Sequence, residues 1–278
     1  SIKDPENPIL IEKVEDKMVA TLDDDKKITF SGSVEFRDVC FQYPDAEASI
    51  LDHISFSAKA NETVAFIGST GSGKSTLINL IPRFYDVTCG EILIDGVNIS
   101  NMKLKDLRSL LGYVPQQGHL FNGSVRENVS YGSDISDDEV NYALDIAQAT
   151  FVHTLEGGLD YEIVQGGTNV SGGQRQRLSI ARAVAKKPLI YIFDDSFSAL
   201  DYKTDADLRK RLEEVDGTKL IVAQRVATVM NADKIIVLDK GKMLASGKHE
   251  ELLITCQVYY EIAKSQLSEE ELGHAKTR

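Results

Sequence analysis

The sequence predicts an α/β fold in which helices cover both faces of a mostly parallel sheet. Three features predict it. Short apolar, β-branched runs alternate with helical stretches, a glycine-rich loop joins one such strand to one such helix, and a later strand runs directly into an aspartate. The chain has 278 residues, 42% of them hydrophobic, enough for one large or two small domains with a sizeable core. Its net charge of −12 argues against nucleic acid as a partner, because proteins that neutralise phosphates carry a basic excess. Cys40, Cys89 and Cys256 are scattered, with no C-x-x-C pair, so neither a disulfide framework nor a zinc ribbon is expected and a reducing setting fits. The five histidines are dispersed, and His249-Glu250-Glu251 lacks the second histidine of a zinc protease pattern. The longest apolar runs, at 189–193 and 235–238, fall far short of the roughly 20 residues that cross a bilayer. The chain begins at Ser1 rather than Met and shows no signal peptide, as a processed terminus or an excised domain would.

Residues 1–32 are rich in charge, include Asp23-Asp24-Asp25 and show little periodicity; they are expected to be a linker. From Val34 the pattern turns to strands at 34–43, 54–58 and 63–67. After Gly73, the spacing of Leu77, Ile78, Leu80 and Ile81 predicts a helix packed on that sheet, and 91–94 reads as the next strand. Ser136 and Glu139 form a capping-box pattern ahead of a helical run to Ala149, within a largely helical insertion expected at about 117–169. Strand-like runs at 189–193, 220–223 and 235–238 then alternate with helical stretches. There is no internal repeat, and 267–278, with Glu269-Glu270-Glu271, is expected to be a solvated tail.

Gly68, Ser69, Thr70, Gly71, Ser72, Gly73, Lys74 and Ser75 match the phosphate-loop pattern G-x-x-x-x-G-K-[ST], with Thr76 following, between an apolar strand and a helical pattern. Glycines are needed because the backbone must turn tightly enough to aim several N–H groups at phosphate oxygens. Lys74 is expected to reach the β- and γ-phosphates, and Ser75 to place its hydroxyl on Mg²⁺. Asp194, after the apolar run Ile190-Tyr191-Ile192-Phe193, is the candidate carboxylate for the same ion. ATP and Mg²⁺ are thus the expected ligands, and no other metal is.

Between these elements, Val170-Ser171-Gly172-Gly173-Gln174 resembles the signature of ABC ATPases, and the resemblance extends over roughly residues 33 to 265. It implies a P-loop NTPase (RecA-like) core with an N-terminal antiparallel β subdomain and an inserted helical subdomain, forming an ATP-binding domain at 33–266. It also implies roles for single residues. Tyr43 sits where the family stacks an aromatic ring on adenine, and Gln116 resembles the Q-loop glutamine that touches Mg²⁺ and senses the membrane domain. Ser198-Ala199-Leu200-Asp201 resembles the D-loop at the interface of paired domains. By the same resemblance, ATP is sandwiched between the P-loop of one domain and the Ser171-Gly172-Gly173-Gln174 signature of another. Residues 161–169 occupy the position of the exporters' X-loop, with Gln165 where a glutamate is usual, and 104–128 resembles exporters rather than importers. Exporters fuse this domain behind a transmembrane half, which places it at the cytoplasmic face of a cell membrane.

Two catalytic positions depart from the family. Asp195 stands where a glutamate polarises the attacking water, and Gln224 where a histidine sits near the γ-phosphate. A carboxylate withdrawn by one methylene moves by about an ångström, a misplacement that can cost roughly 10²-fold in rate. Glutamine can hydrogen-bond but carries no positive charge. The combination resembles the degenerate-site subunit of heterodimeric bacterial multidrug exporters, which lends an intact signature to a partner with the usual glutamate and histidine; the isolated domain could also pair with itself. The alternatives are a soluble ABC ATPase acting on nucleic acid or ribosomes, disfavoured by the single motif set and the absence of a long coiled coil, and a non-catalytic regulatory module.

Overall fold

The computed structural model describes residues 2–273. The chain opens with β1 (Leu10–Val14), β2 (Lys17–Thr21) and β3 (Lys27–Thr29), an antiparallel meander. This segment was expected to be a linker. Its charges instead lie on the outer face of strands, while Ile11, Ala20 and Phe30 are buried, and Glu15 and Asp16 turn β1 into β2 with positive φ. The backbone N–H groups of Ser31, Gly32 and Ser33 all donate to the carboxylate of Asp95, which fastens the segment to the body.

Next come β4 (Val34–Phe41), β5 (Leu51–Ala58), β6 (Thr63–Gly68), α1 (Lys74–Asn79), β7 (Cys89–Ile94) and β8 (Val97–Asn98). Strands β5-β4-β7-β8 form the antiparallel β subdomain, whereas β6 leaves it for a second sheet. After α2 (Leu104–Ser109) and β9 (Leu111–Val114), the insertion contains the short pair β10 (Gly123–Ser124) and β11 (Glu162–Ile163), with α3 (Val125–Ser130) and α4 (Asp137–Ile146) between them. Both helices begin in complete capping boxes, at Ser124 with Glu127 and at Ser136 with Glu139. Then follow α5 (Gly172–Ala185), β12 (Ile190–Asp194), α6 (Tyr202–Leu212), β13 (Thr218–Val222), α7 (Val226–Val229), β14 (Lys234–Asp239) and β15 (Lys242–Gly247). The chain closes with α8 (His249–Thr255), α9 (Gln257–Gln266) and α10 (Glu269–Gly273).

The main sheet has six strands in the order β15-β14-β6-β13-β12-β9, all parallel except β15. Alternation along each strand divides the core in two. Val64, Phe66, Ile192, Leu220, Val222 and Ile236 face the antiparallel sheet, α1 and α2, whereas Ala65, Ile67, Phe193, Ile221 and Val237 face α5 to α9 and the helical insertion. The C-terminal segment is not wholly solvated, because Leu267 and Leu272 pack against the second cluster; the rest of that expected tail, 274–278, lies outside the described residues.

The cysteine expectation is also corrected. Cys40 and Cys89 face each other on β4 and β7 with Cα atoms 4.9 Å apart and form a disulfide, leaving Cys256 free and buried. Their separation along the sequence hid a contact that only the strand pairing creates. Among the described residues, no helix is long and apolar enough to cross a membrane.

Candidate nucleotide-binding site

The phosphate loop hangs from the C-terminal end of β6, between β14 and β13. Gly68 is required by space: a Cβ there would lie 2.1 Å from the Leu238 carbonyl oxygen of β14. Gly73 has φ +100°, and its Cβ would meet Leu51 Cδ2 at 2.8 Å. The turn is held by Ser72 N–H donating to Ser69 O and by Gly241 N–H donating to Ser72 O. Lys74 Nζ donates inward to the carbonyls of Gly68 (2.9 Å) and Ser69 (2.8 Å) and to Ser72 Oγ (3.2 Å). Burial lowers the pKa of Lys74, and the nearby carboxylates of Asp195 and Asp194 oppose that shift.

Ser75 Oγ donates to Asp194 Oδ1 at 2.7 Å. These two hard oxygen groups, brought together by the P-loop helix and the end of β12, suit Mg²⁺, and that chemical match supports their expected role. Tyr113, at the end of β9, donates its hydroxyl to Asn79 Oδ1 (2.9 Å) and more weakly to Asp194 Oδ2 (3.4 Å). Its contribution was missed, although it lies only three residues before Gln116.

Asp195 follows with φ +51° and only 8% exposure. Its Oδ2 accepts from two amides, Gln116 Nε2 at 3.1 Å and Gln224 Nε2 at 3.3 Å. Burial, and then the charge of Asp194, push its carboxyl pKa up, while Lys74 and Arg225 pull it down. Gln224 is itself braced by the far end of the chain: Gln266 Nε2 donates to Gln224 O, and Gln266 Oε1 accepts from Val226 N–H. This buttress left no sequence signal, since a glutamine at a helix end is ordinary.

Tyr43 stands at the rim, its hydroxyl 3.1 Å from Thr76 Oγ1 and its ring edge-on to Phe41 and Tyr85. Together Tyr43, Thr70 to Thr76, Gln116, Asp195 and Gln224 line one pocket of about 320 Å³. Ser171, Gly172, Gly173 and Gln174 do not line it. They begin α5, where Ser171 Oγ accepts from Gln174 N–H and Gln174 Oε1 accepts from Ser171 N–H, with Ser171 and Gly172 exposed. Asp201, at the end of the D-loop stretch, caps α6 through Thr204 N–H, and Arg225 donates to the carbonyls of Ser198 and Leu200.

This fold, with a phosphate loop at the end of β6 and an aspartate at the end of β12, two strands apart across β13, defines the P-loop nucleoside-triphosphate-binding class. Within it the chain belongs to the ABC transporter family, whose profile matches residues 51–198. It is 46% identical over 243 residues to an uncharacterized ABC transporter ATP-binding protein of Mycobacterium tuberculosis, covering 85% of this chain and 41% of that protein. It is 43% identical over 247 residues to an ATP-dependent lipid A-core flippase of Syntrophus aciditrophicus, covering 87% of this chain and 41% of the flippase. A solved bacterial Atm1-family ABC exporter with ATP bound superposes with a TM-score of 0.84 at 37% identity, over 96% of this chain and 45% of that one. The chain thus spans less than half the length of these relatives and corresponds to the ATP-binding domain of exporter-type members.

Proposed function

We propose that this chain is the motor domain of an ABC exporter, binding Mg-ATP at a weakly hydrolysing site and lending its signature to the competent site of a different partner domain. The observation that carries the reading is the state of Asp195. Its carboxylate is shorter by one methylene than the family's glutamate, buried, and engaged by the two amides of Gln116 and Gln224. A base held in this way is withdrawn from a water at the γ-phosphate, and Gln224 supplies no positive charge for the transition state.

Binding, by contrast, keeps its full set of groups. Lys74 exchanges its bonds to the loop's own carbonyls for phosphate oxygens, and Tyr43 offers a face to the base. Ser75, Asp194 and Gln116 are the residues to hold Mg²⁺, which when bound neutralises phosphate charge. The exposed start of α5 leaves Ser171 to Gln174 free to meet a nucleotide carried by a second domain.

In the whole protein, a transmembrane half is the second partner, and the domain works at the cytoplasmic face of a cell membrane. Relatives named as a lipid A-core flippase and, at 46% identity in Staphylococcus aureus, as a putative multidrug export ATP-binding/permease protein support export as the task.

Titration with a fluorescent ATP analogue in Mg²⁺ tests the site. Lys74→Ala is expected to weaken binding by about 1.5–3 kcal/mol, the worth of a charge-assisted contact, while turnover of the wild-type domain is slow. Equal affinity of both proteins would sink the phosphate-site reading, and rapid turnover would sink the weak-hydrolysis reading.

A further inference from the structure

Cys40, Cys89, His53 and Asp38 form a cluster of reactive side chains that the nucleotide chemistry does not use. The disulfide joins directly opposed residues of β4 and β7, and both cysteines are only half-buried, which leaves the bond open to a reagent from solution. On the other flank of β4, His53 of β5 places Nδ1 3.8 Å from Cys40 Sγ and 2.8 Å from Asp38 Oδ1. The ring is exposed and its pKa is raised, chiefly by the hydrogen bond to Asp38; Asp52 adds to the shift and Lys242 opposes it.

The position of the bond gives it leverage over the pocket rim. Thr88 N–H donates to Cys40 O (2.9 Å), and Gln42 N–H donates to Thr88 Oγ1 (3.0 Å). Immediately beyond, Tyr43 meets Tyr85 edge-on at 5.1 Å between ring centroids. The disulfide therefore ties the strand that delivers Tyr43 to the segment that carries Tyr85.

We propose that Cys40–Cys89 is a reversible thiol–disulfide exchange site, opened by a dithiol reductant, whose state sets how firmly the aromatic rim at Tyr43 is held. In the first step a thiolate of the dithiol attacks Cys89 Sγ. The Cys40–Cys89 bond breaks, and its electron pair leaves on Cys40 Sγ, beside the His53 ring; a positive ring there stabilises the leaving thiolate. The second thiolate of the reductant then displaces Cys89 from the mixed disulfide. The reductant ends as its own disulfide, and its two protons pass to the Cys40 and Cys89 thiols. Formation of the bond is the reverse, with a disulfide-bearing oxidant accepting the two electrons. The redox chemistry stands independently of the proposed function, whereas the link to Tyr43 rests on it.

The test uses the full chain. It is oxidised with a small disulfide, titrated with dithiothreitol, and alkylated for intact-mass and peptide analysis. Cys40 and Cys89 are expected to become alkylated together as the dithiol rises and to be protected again on reoxidation. Because a disulfide limits the freedom of the unfolded chain, reduction should lower the thermal midpoint by roughly 4–16 °C, and Cys89→Ser should give that lower value with or without dithiol. Cys40→Ser provides the same comparison if Cys89→Ser folds poorly. His53→Ala should slow reduction several-fold, and the reduced chain should bind the fluorescent ATP analogue several-fold more weakly than the oxidised one. Full alkylation of both cysteines after oxidation overturns the site. So does protection of the reduced thiols by stoichiometric zinc, which would make the cluster a metal centre. Unchanged analogue affinity across a completed redox cycle overturns the link to Tyr43. If neither redox form binds the analogue, the proposed function falls together with that link, and the mass analysis alone decides the exchange chemistry.

Discussion

At Asp195 a single carboxylate is held by amides from two distant segments of the chain. The side chain still faces the phosphate pocket, but two amides and the surrounding burial hold it. Asp195→Glu combined with Gln224→His is expected to raise ATP turnover of the isolated domain by about 10²-fold, and by more than the product of the single changes. Turnover measured against protein concentration checks this, because weak self-association would hide the gain in dilute solution. An ATP-dependent dimer of the double variant that hydrolyses no faster than wild type would place the defect elsewhere. Asp195 also bears on stability. Its pKa is raised in the fold, so at neutral pH the folded chain holds a charge that burial and Asp194 disfavour. Asp195→Asn should therefore raise the thermal midpoint near pH 7. The gain should fade as pH falls through the raised pKa towards the ordinary carboxylate value, where both states are protonated. Midpoints measured from pH 4 to pH 8 check the sign; a gain that persists in acid would exclude this cause. The positions of Asp194 and Asp195 were legible from an apolar strand ending in acid. The engagement of Asp195 by Gln116 and Gln224 was not, because it depends on three chain segments converging.

Helix α5 unites two jobs in one element. Its first turn presents Ser171 to Gln174 outward, while its body buries Gln176, Leu178, Ile180 and Ala181. Gln176 Nε2 donates to Pro115 O, and Arg182 donates to Asn128 O and His119 O, so the signature is rigidly connected to the stretch around Gln116 and to α3. Replacing Ser171 with Ala removes the cap and should cost about 1 kcal/mol, a fall of roughly 2–4 °C in thermal midpoint. Ser171→Arg in a mixed complex with a competent partner should reduce ATP turnover more than Gln224→Ala does, because the first would act on the partner's site and the second only on a slow one. Equal losses would contradict the assignment. The cap pattern at Ser136, the P-loop helix and the strands β4 to β7 and β12 to β14 could be read within a few residues of their observed ends, since each carries a local signal, whereas β8 to β11 and β15 were not read. The meander of β1 to β3 could not. Only Ile11 and Ala20 of its paired strands turn fully inward, so period-two alternation is drowned by charge on the outer face.

At the scale of the molecule, the chain visits the main sheet out of order. β6, which bears the phosphate loop, is flanked by β13 and β14, both contributed long after it along the sequence. Its residues Val64, Ala65, Phe66 and Ile67 are completely buried in the finished sheet. During synthesis, the P-loop strand therefore emerges well before either of its neighbours and must wait with both edges bare, an apolar segment with unsatisfied backbone groups. Pairing of this kind closes long loops and forms slowly, so nucleotide affinity belongs to the last stage of folding rather than the first. Chains ending near residue 215 should collect in the insoluble fraction, whereas chains ending after β15 should partition further into the soluble one; centrifugation of both, expressed in parallel, is the measurement. Equal solubility would mean that the helical insertion or the antiparallel sheet shelters β6 until its partners arrive.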